Sequence, residues 1–180
     1  VGAEAFQPPS TTDVYSLFAL EEFEATEDLT LQAGARYDRN QVDTDGFSRD
    51  SSLDGMTRRY DLFSQSFGGT VNLTNDYAVT ASTAYTERAP NAQELFADGP
   101  HVATGAYEIG DSSLDTEESL GTELSLRKTE GAVRGSVGGF YNRFWNYIYA
   151  NPTGAIEDSL PVYQFENVPA DFWGFESQVS

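Results

Sequence analysis

The feature that most constrains this chain is a two-residue period of apolar and polar side chains, cut into segments by connections of two lengths. Residues 28–39 (DLTLQAGARYDR) put Leu29, Leu31, Ala33, Ala35 and Tyr37 on one face, and Thr30, Gln32, Gly34, Arg36 and Asp38 on the other. Successive Cβ atoms of a strand point to opposite sides of a sheet, so this alternation predicts a strand with two unlike faces. It recurs at Tyr77, Val79, Ala81, Thr83 and Tyr85 against Thr80, Ser82 and Thr86, and at Leu120, Thr122, Leu124 and Leu126 against Glu123, Ser125 and Arg127. Less regular strands are predicted at 13–24, 59–74, 131–150, about 162–168, and from 171 to the end, which makes about eight in all.

The connections take turns. Ala25 to Glu27, Thr74 to Asp76 around Asn75, Lys128 to Gly131 and Val168 to Asp171 read as tight hairpin turns, whereas Asn40 to Arg58, Ala89 to Asp115 and Ala150 to Pro161 read as long links. Alternate turns of an up-and-down antiparallel meander lie at opposite ends of the sheet. Strict alternation of short and long therefore predicts one end made only of tight turns and another made only of long loops, as in transmembrane barrels. Aromatic residues are expected to form two interfacial belts: Phe23, Tyr77, Phe172 and Trp173 beside short turns, and Tyr37, Tyr60, Tyr85, Tyr141 and Trp145 towards the long-loop end. One short helix is predicted over Ala92 to Ala97, with Asn91 as N-cap and Glu94 completing a capping box.

Other classes are narrowed by what the chain lacks. Apolar runs such as Val14 to Leu20 fall far short of the roughly 20 residues that a membrane-spanning helix needs. A formal net charge of -19, from 29 acidic and 10 basic residues, argues against nucleic-acid binding and towards cations as small partners. There is no cysteine, so neither disulfides nor thiolate metal sites are available. Val1 to Ser10 has no basic start and no apolar stretch, so no signal peptide is read there. No nucleophile elbow, phosphate-cradling loop or His-Glu-x-x-His is present, and the single histidine leaves enzyme chemistry unsupported.

Residues 84–118 (AYTERAPNAQELFADGPHVATGAYEIGDSSLDTEE) are similar to a recognisable segment of TonB-dependent receptor barrels. There a strand ends in Arg-Ala-Pro, a short Glu-Leu helix follows, and a Gly-rich extracellular loop re-enters the next strand through a Leu-x-x-Glu step. Arg88, Ala89, Pro90, Glu94, Leu95, Gly110, Asp111, Leu114 and Glu117 occupy those places, and Gly99 to Gly105 resembles the subset that includes zinc-uptake receptors. Gly34-Ala35-Arg36-Tyr37-Asp38, Gly139-Phe140-Tyr141-Asn142, Tyr147-Ile148-Tyr149, Phe165-Glu166-Asn167 and Gly174-Phe175-Glu176 extend the likeness over nearly the whole chain.

The resemblance implies an all-β, antiparallel meander that is part of a 22-stranded barrel closed by a plug. It also implies a place in the Gram-negative outer membrane, contact with outer-membrane lipid, and import of a siderophore, another metal chelate or a metal ion with energy from TonB. No TonB box or plug-like stretch is recognisable, so residues 1–180 are expected to be about a third of such a barrel, with TonB contacted through a plug that lies elsewhere, and to be unable to transport alone. Two rival readings are a passive porin or adhesin barrel and a soluble β-sandwich that binds a partner. An isolated piece is expected either to fold its sheet over on itself or to self-associate, covering Leu29, Leu31, Val79, Leu124 and Leu126.

Candidate site residues fall in the long loops. His101 is a candidate metal ligand with Asp98, Glu108 or Asp111 as partners, a donor set that suits zinc. Asp43-x-Asp45-Gly46, in a loop that also holds Asp38, Asp50 and Asp54, offers hard oxygen donors for Ca2+ but lacks the bidentate Glu of an EF-hand. Arg88 is expected to stitch the loop base to the wall through Glu94 and Glu117, with Pro90 and Leu95 as structural parts of the same motif.

Overall fold

A computed structural model describes residues 6–45, 51–74 and 76–180, and all nine of its strands join one sheet. The strands are β1 (Ser10–Glu24), β2 (Leu29–Thr44), β3 (Thr57–Asn72), β4 (Tyr77–Arg88), β5 (Asp98–His101), β6 (Ala106–Ile109), β7 (Glu117–Lys128), β8 (Gly135–Glu157) and β9 (Leu160–Val179). Their order in the sheet is β1-β2-β3-β4-β7-β8-β9-β6-β5, so seven long strands form an antiparallel meander and the β5–β6 hairpin lies on the far edge of β9. There β6 runs parallel to β9, with Tyr107 to Ile109 against Val162 to Gln164. A β-sandwich would have divided the strands between two packed sheets. Among the described residues no helix is long and apolar enough to cross a membrane, which says nothing about crossing with strands.

Three sequence expectations need correcting. Val168 to Asp171 is not a turn, because β9 runs through it: Pro169 falls at a register shift where Trp145 and Asn146 of β8 bulge between the pairs Phe144–Ala170 and Tyr147–Val168. Proline lacks an N–H, and a bulge is where a ladder does not ask for one. Ala150 to Pro161 is not a long link either. β8 and β9 continue as a paired hairpin past a second irregularity at Pro152/Ile156, and close on Asp158 and Ser159, both at positive φ (49° and 67°) as a two-residue turn demands. The strict alternation of short and long connections therefore fails at its third long member. Finally, the long link after Ala89 contains β5 and β6, while the two strands expected at about 162–168 and from 171 onward are the single β9, so nine strands stand where about eight are expected.

The two faces follow from register. Leu31 pairs with Gly69, Ala81 pairs with Gly69 and Leu124, and Gly139 pairs with Leu124 and Phe175, so these residues share one face with Leu29, Val71, Val79, Leu126 and Val137. On the opposite face lie Gln32, Arg36, Asp38, Ser66, Thr80, Ser82, Glu123, Ser125, Asn142 and Glu176. An apolar outward face and a polar inward face are what a lipid-bathed barrel wall requires. The sheet does not fold over on itself: Leu31, Leu124 and Leu126 stay 42%, 59% and 39% exposed.

Tyr37, Tyr85 and Tyr141 face outward along a slanted line. Tyr37 pairs with Phe63 while Tyr85 pairs with Gln65; Tyr141 meets Thr122, whose β4 partner is Thr83. Each step of two strands thus descends two residues, the stagger that tilted strands impose. Tyr85 sits near Trp145, with ring centroids 6.3 Å apart. Three of the expected belt positions differ: Tyr60 is buried on the inward face, Phe172 pairs with the inward Asn142, and Trp173 pairs with Tyr141, neither of the last two lying beside a short turn.

Candidate functional site

The core of the molecule lies at the long-loop end, on the inward face. Val42, Tyr60, Leu62 and Ile148 project from β2, β3 and β8, and Ala89, Leu95, Phe96 and Leu114 of the β4–β7 link pack against them, with Phe165 of β9 at the margin. A single helix carries this packing, α1 (Ala92–Phe96). Its start is set by a capping box: Asn91 Oδ1 accepts from the Glu94 N–H at 2.9 Å, and Glu94 Oε2 accepts from the Asn91 N–H at 2.8 Å. The link then passes under the helix end so closely that a Cβ on Gly110 would stand 2.6 Å from the backbone of Leu95 and Phe96. Only glycine allows that approach.

Arg88 ties this assembly to the wall. One terminal nitrogen donates to Glu94 at 2.9 Å, while the other side of the guanidinium grips Glu117 at 3.0 and 3.2 Å. Glu117 also accepts from the Ile148 N–H of β8 at 3.0 Å. The carboxylates of Glu94 and Glu117 are shielded, at 12% side-chain exposure each, so one guanidinium is shared between two poorly hydrated charges. Re-entry of the link is fixed by Tyr60, whose hydroxyl donates to the Leu114 carbonyl at 3.1 Å. Asn167 completes the joint by accepting from the Asp115 N–H at 2.9 Å and donating to the Asn146 carbonyl, freed by the bulge, at 3.0 Å. Asn167 belongs to the Phe165-Glu166-Asn167 motif, yet nothing in its local sequence announces a partner 52 residues away.

His101 and Glu108 meet across the β5–β6 hairpin, Nδ1 to Oε1 at 2.9 Å. Glu108 is also held by Thr104 at 2.8 Å and Gln93 at 2.6 Å, and His101 stacks flat on Phe6 with centroids 4.4 Å apart. Burial pushes the Glu108 carboxyl up, but the donors from His101, Thr104 and Gln93 outweigh it and hold the group below the usual carboxylate range.

Asp98 and Asp111 do not join this pair. Asp98 accepts from the Tyr107 hydroxyl at 3.1 Å, and strand alternation sets it on the face opposite His101. Asp111 is spent locally, accepting from the Ser113 N–H at 2.7 Å and its hydroxyl at 2.6 Å. Among the described residues no three His, Cys, Asp or Glu side chains converge as a metal site. In the acidic loop, Asp43 accepts from Thr57 and from Gln41 (2.6 Å), whereas Asp45 meets Thr11 at 3.5 Å, so the two carboxylates take separate partners. Gly46 and Asp50 of that loop, and Asn75 of the second short turn, lie outside the described residues.

Below the loop, the inward face carries a polar group that sequence reading left unassigned. Arg36 makes two 2.7 Å bonds to Asp38 and one of 2.9 Å to Ser16, and Ser16 also donates to Asp38. Further down stand Glu123, Arg127 and Glu176, around a broad hollow on the same face. Such a wall can present charge and hydrogen bonds to whatever fills the lumen.

Comparison with known proteins places this geometry. The family described as "TonB dependent receptor-like, beta-barrel" matches residues 2–180. Among curated proteins, the chain is 25% identical to the ferrienterobactin receptor of Escherichia coli over 174 residues, covering 90% of the chain and 21% of that receptor. It is 24% identical to the rhizobactin receptor of Rhizobium meliloti over 163 residues, covering 79% of the chain and 22% of the receptor. The chain thus spans about a fifth of the length of these relatives. Its fold is shared by the copper transporter OprC (TM-score 0.82, 19% identity, 94% of this chain and 26% of that one). The hemophore receptor HasR of Serratia marcescens is also similar (TM-score 0.72, 19% identity, 97% of this chain and 32% of that one). A two-faced meander, a loop seated on its inward face and a family match over nearly every residue agree: the chain belongs to the β-barrel family of TonB-dependent receptors, outer-membrane transporters of Gram-negative bacteria rather than enzymes.

Proposed function

We propose that the protein of which this chain forms part imports a metal chelate of the siderophore class, with energy passed on by TonB, and that this chain supplies a sector of barrel wall with its outer loops. The reading is carried by the kinship over most of the chain with two curated receptors whose names are those of siderophore receptors. It is supported by the β4–β7 link, which folds inward and is pinned across β2, β3, β8 and β9 instead of standing clear of the mouth. A link docked there narrows the entrance, which favours selective capture over free diffusion. The test is uptake of radiolabelled iron by cells that lack their own siderophore receptors and express the full-length protein. At least one ferric chelate should accumulate, and the uptake should vanish when TonB is deleted. Uptake that persists without TonB would reveal a passive pore, and failure with every ferric chelate would refute the cargo class.

A further inference from the structure

Positive charge is scarce where cargo would enter. Residues 89–126, which run through the β4–β7 link and into β7, hold no lysine or arginine, and neither do residues 144–180, which include the tip of the β8–β9 hairpin. Among the described residues, the register sets Arg36, Arg58, Arg88 and Arg127 on the inward face. The first three are engaged. Arg36 is held by Asp38, and Arg88 by Glu94 and Glu117. Arg58 donates to the Leu114 carbonyl at 3.5 Å, and its guanidinium lies 5.5 Å from the centre of the Tyr60 ring. Arg127 pairs with Ala78 beside the short turns, at the far end of the sheet. The link's single ionisable nitrogen side chain, His101, already faces Glu108 at 2.9 Å.

Negative charge is supplied differently. The link carries Glu94, Asp98, Glu108, Asp111 and Asp115, and of these Glu94 meets Arg88 and Glu108 meets His101. Asp98 is satisfied by the Tyr107 hydroxyl and Asp111 by Ser113, neutral donors that complete hydrogen bonds and leave the charge in place, while Asp115 is exposed. Among the described residues no cation pairs with any of these three aspartates. They are dispersed rather than convergent, so they act through their summed field and not as ligands to a bare ion. Because the link that bears them is pinned over the inward face, cargo must pass them on its way in. A field of this sign opposes every negative charge on the cargo. Three catecholates bring two negative charges each to one ferric ion and leave a trianion, whereas three hydroxamates bring one each and leave a neutral complex. We infer that this sector selects against polyanionic ferric chelates, and that the cargo is a hydroxamate-type chelate with no net negative charge.

The inference rests on the reading of the protein as an importer of metal chelates, and the two can fail separately. Full-length receptor in detergent is titrated by calorimetry with a neutral ferric tris-hydroxamate and with a ferric tris-catecholate of similar size. The neutral complex should bind about tenfold more tightly at low salt. Added salt should narrow that gap by screening the trianion. Asp98→Asn combined with Asp111→Asn and Asp115→Asn keeps each acceptor oxygen while removing its charge, and should narrow the gap about fivefold. A trianion bound as tightly as the neutral complex, or a gap that salt leaves untouched, would overturn the inference. Both readings use the unaltered receptor, so they decide the matter even where the variant fails to assemble. An unchanged gap in the folded triple variant would overturn it equally. Cells that take up the catecholate complex through TonB and refuse the hydroxamate would leave the import reading standing and sink the inference. Cells that take up neither would sink both.

Discussion

The two ends of the sheet are built by opposite means. At the short-turn end the chain closes on itself within a few residues: the Thr26 hydroxyl accepts from the N–H groups of Asp28 and Leu29 at 3.3 and 3.1 Å, and Thr74 does the same for Asp76 and Tyr77 at 3.2 Å each. Neighbouring turns are then linked by single backbone bonds, Asn72 N–H to the Asp28 carbonyl and Thr129 N–H to the Asp76 carbonyl, both 2.8 Å. At the long-loop end nearly every fixing contact is distant in sequence: Arg88 to Glu117, Tyr60 to Leu114, Asp115 to Asn167. One end is therefore a set of independent local closures, and the other a cooperative unit that is held together or lost together.

The largest break in that contrast should come from Phe96, which is fully buried at the centre of the loop-end core. Phe96→Ala should cost about 3–5 kcal/mol. It should also expose residues 89–116 to protease on intact cells while the short turns stay protected. Removing the charge link comes next. Arg88→Ala strands the shielded carboxylates of Glu94 and Glu117 without a partner, a change that usually costs about 3–5 kcal/mol when fully buried and less here because the guanidinium is 43% exposed. Hydrogen exchange should then quicken at α1 and at the Ile148 amide together, and quickening at only one of them would contradict the cooperative unit.

A milder effect is expected from acid. Glu108 titrates below its ordinary value of 4.5, so its bonds to His101, Thr104 and Gln93 add stability that is complete at neutral pH and is lost as pH falls through that depressed value. Exchange at the β5–β6 amides should accelerate only below pH 4.5, and Glu108→Gln should flatten that pH dependence. Smallest of all, Thr26→Ala should cost roughly 0.5–1.5 kcal/mol and loosen its own turn, leaving the loop end unmoved.

The same contrast explains what could be read from the sequence. The two-faced strands over 28–39, 77–86 and 120–127, and the Asn91/Glu94 capping box, were legible because each is decided by residues within one turn or one strand of each other. Pro169 misled because its turn-forming chemistry is local, while the bulge that accommodates it is supplied by Trp145 and Asn146 on another strand. Pro152, Gly154 and Pro161 read as a loop for the same reason, although β8 and β9 carry them in a paired hairpin. In the site, the Arg88, Glu94 and Glu117 ion pairs could be anticipated from a family pattern, but the separation of Asp98 from His101 depends on the register of two strands that periodicity did not reveal.

The apolar face should meet lipid, with the long-loop end outside the cell and the short turns on the inner side of the outer membrane. Single cysteines test this in the full-length protein, and this chain contributes no competing thiol of its own. Val102, 94% exposed in the β5–β6 loop, and Glu27, exposed in the first short turn, mark the two ends. On intact cells a membrane-impermeant maleimide should label Val102→Cys at once and Glu27→Cys only after the outer membrane is permeabilised. Immediate labelling of Glu27→Cys, or protection of Val102→Cys, would contradict the account.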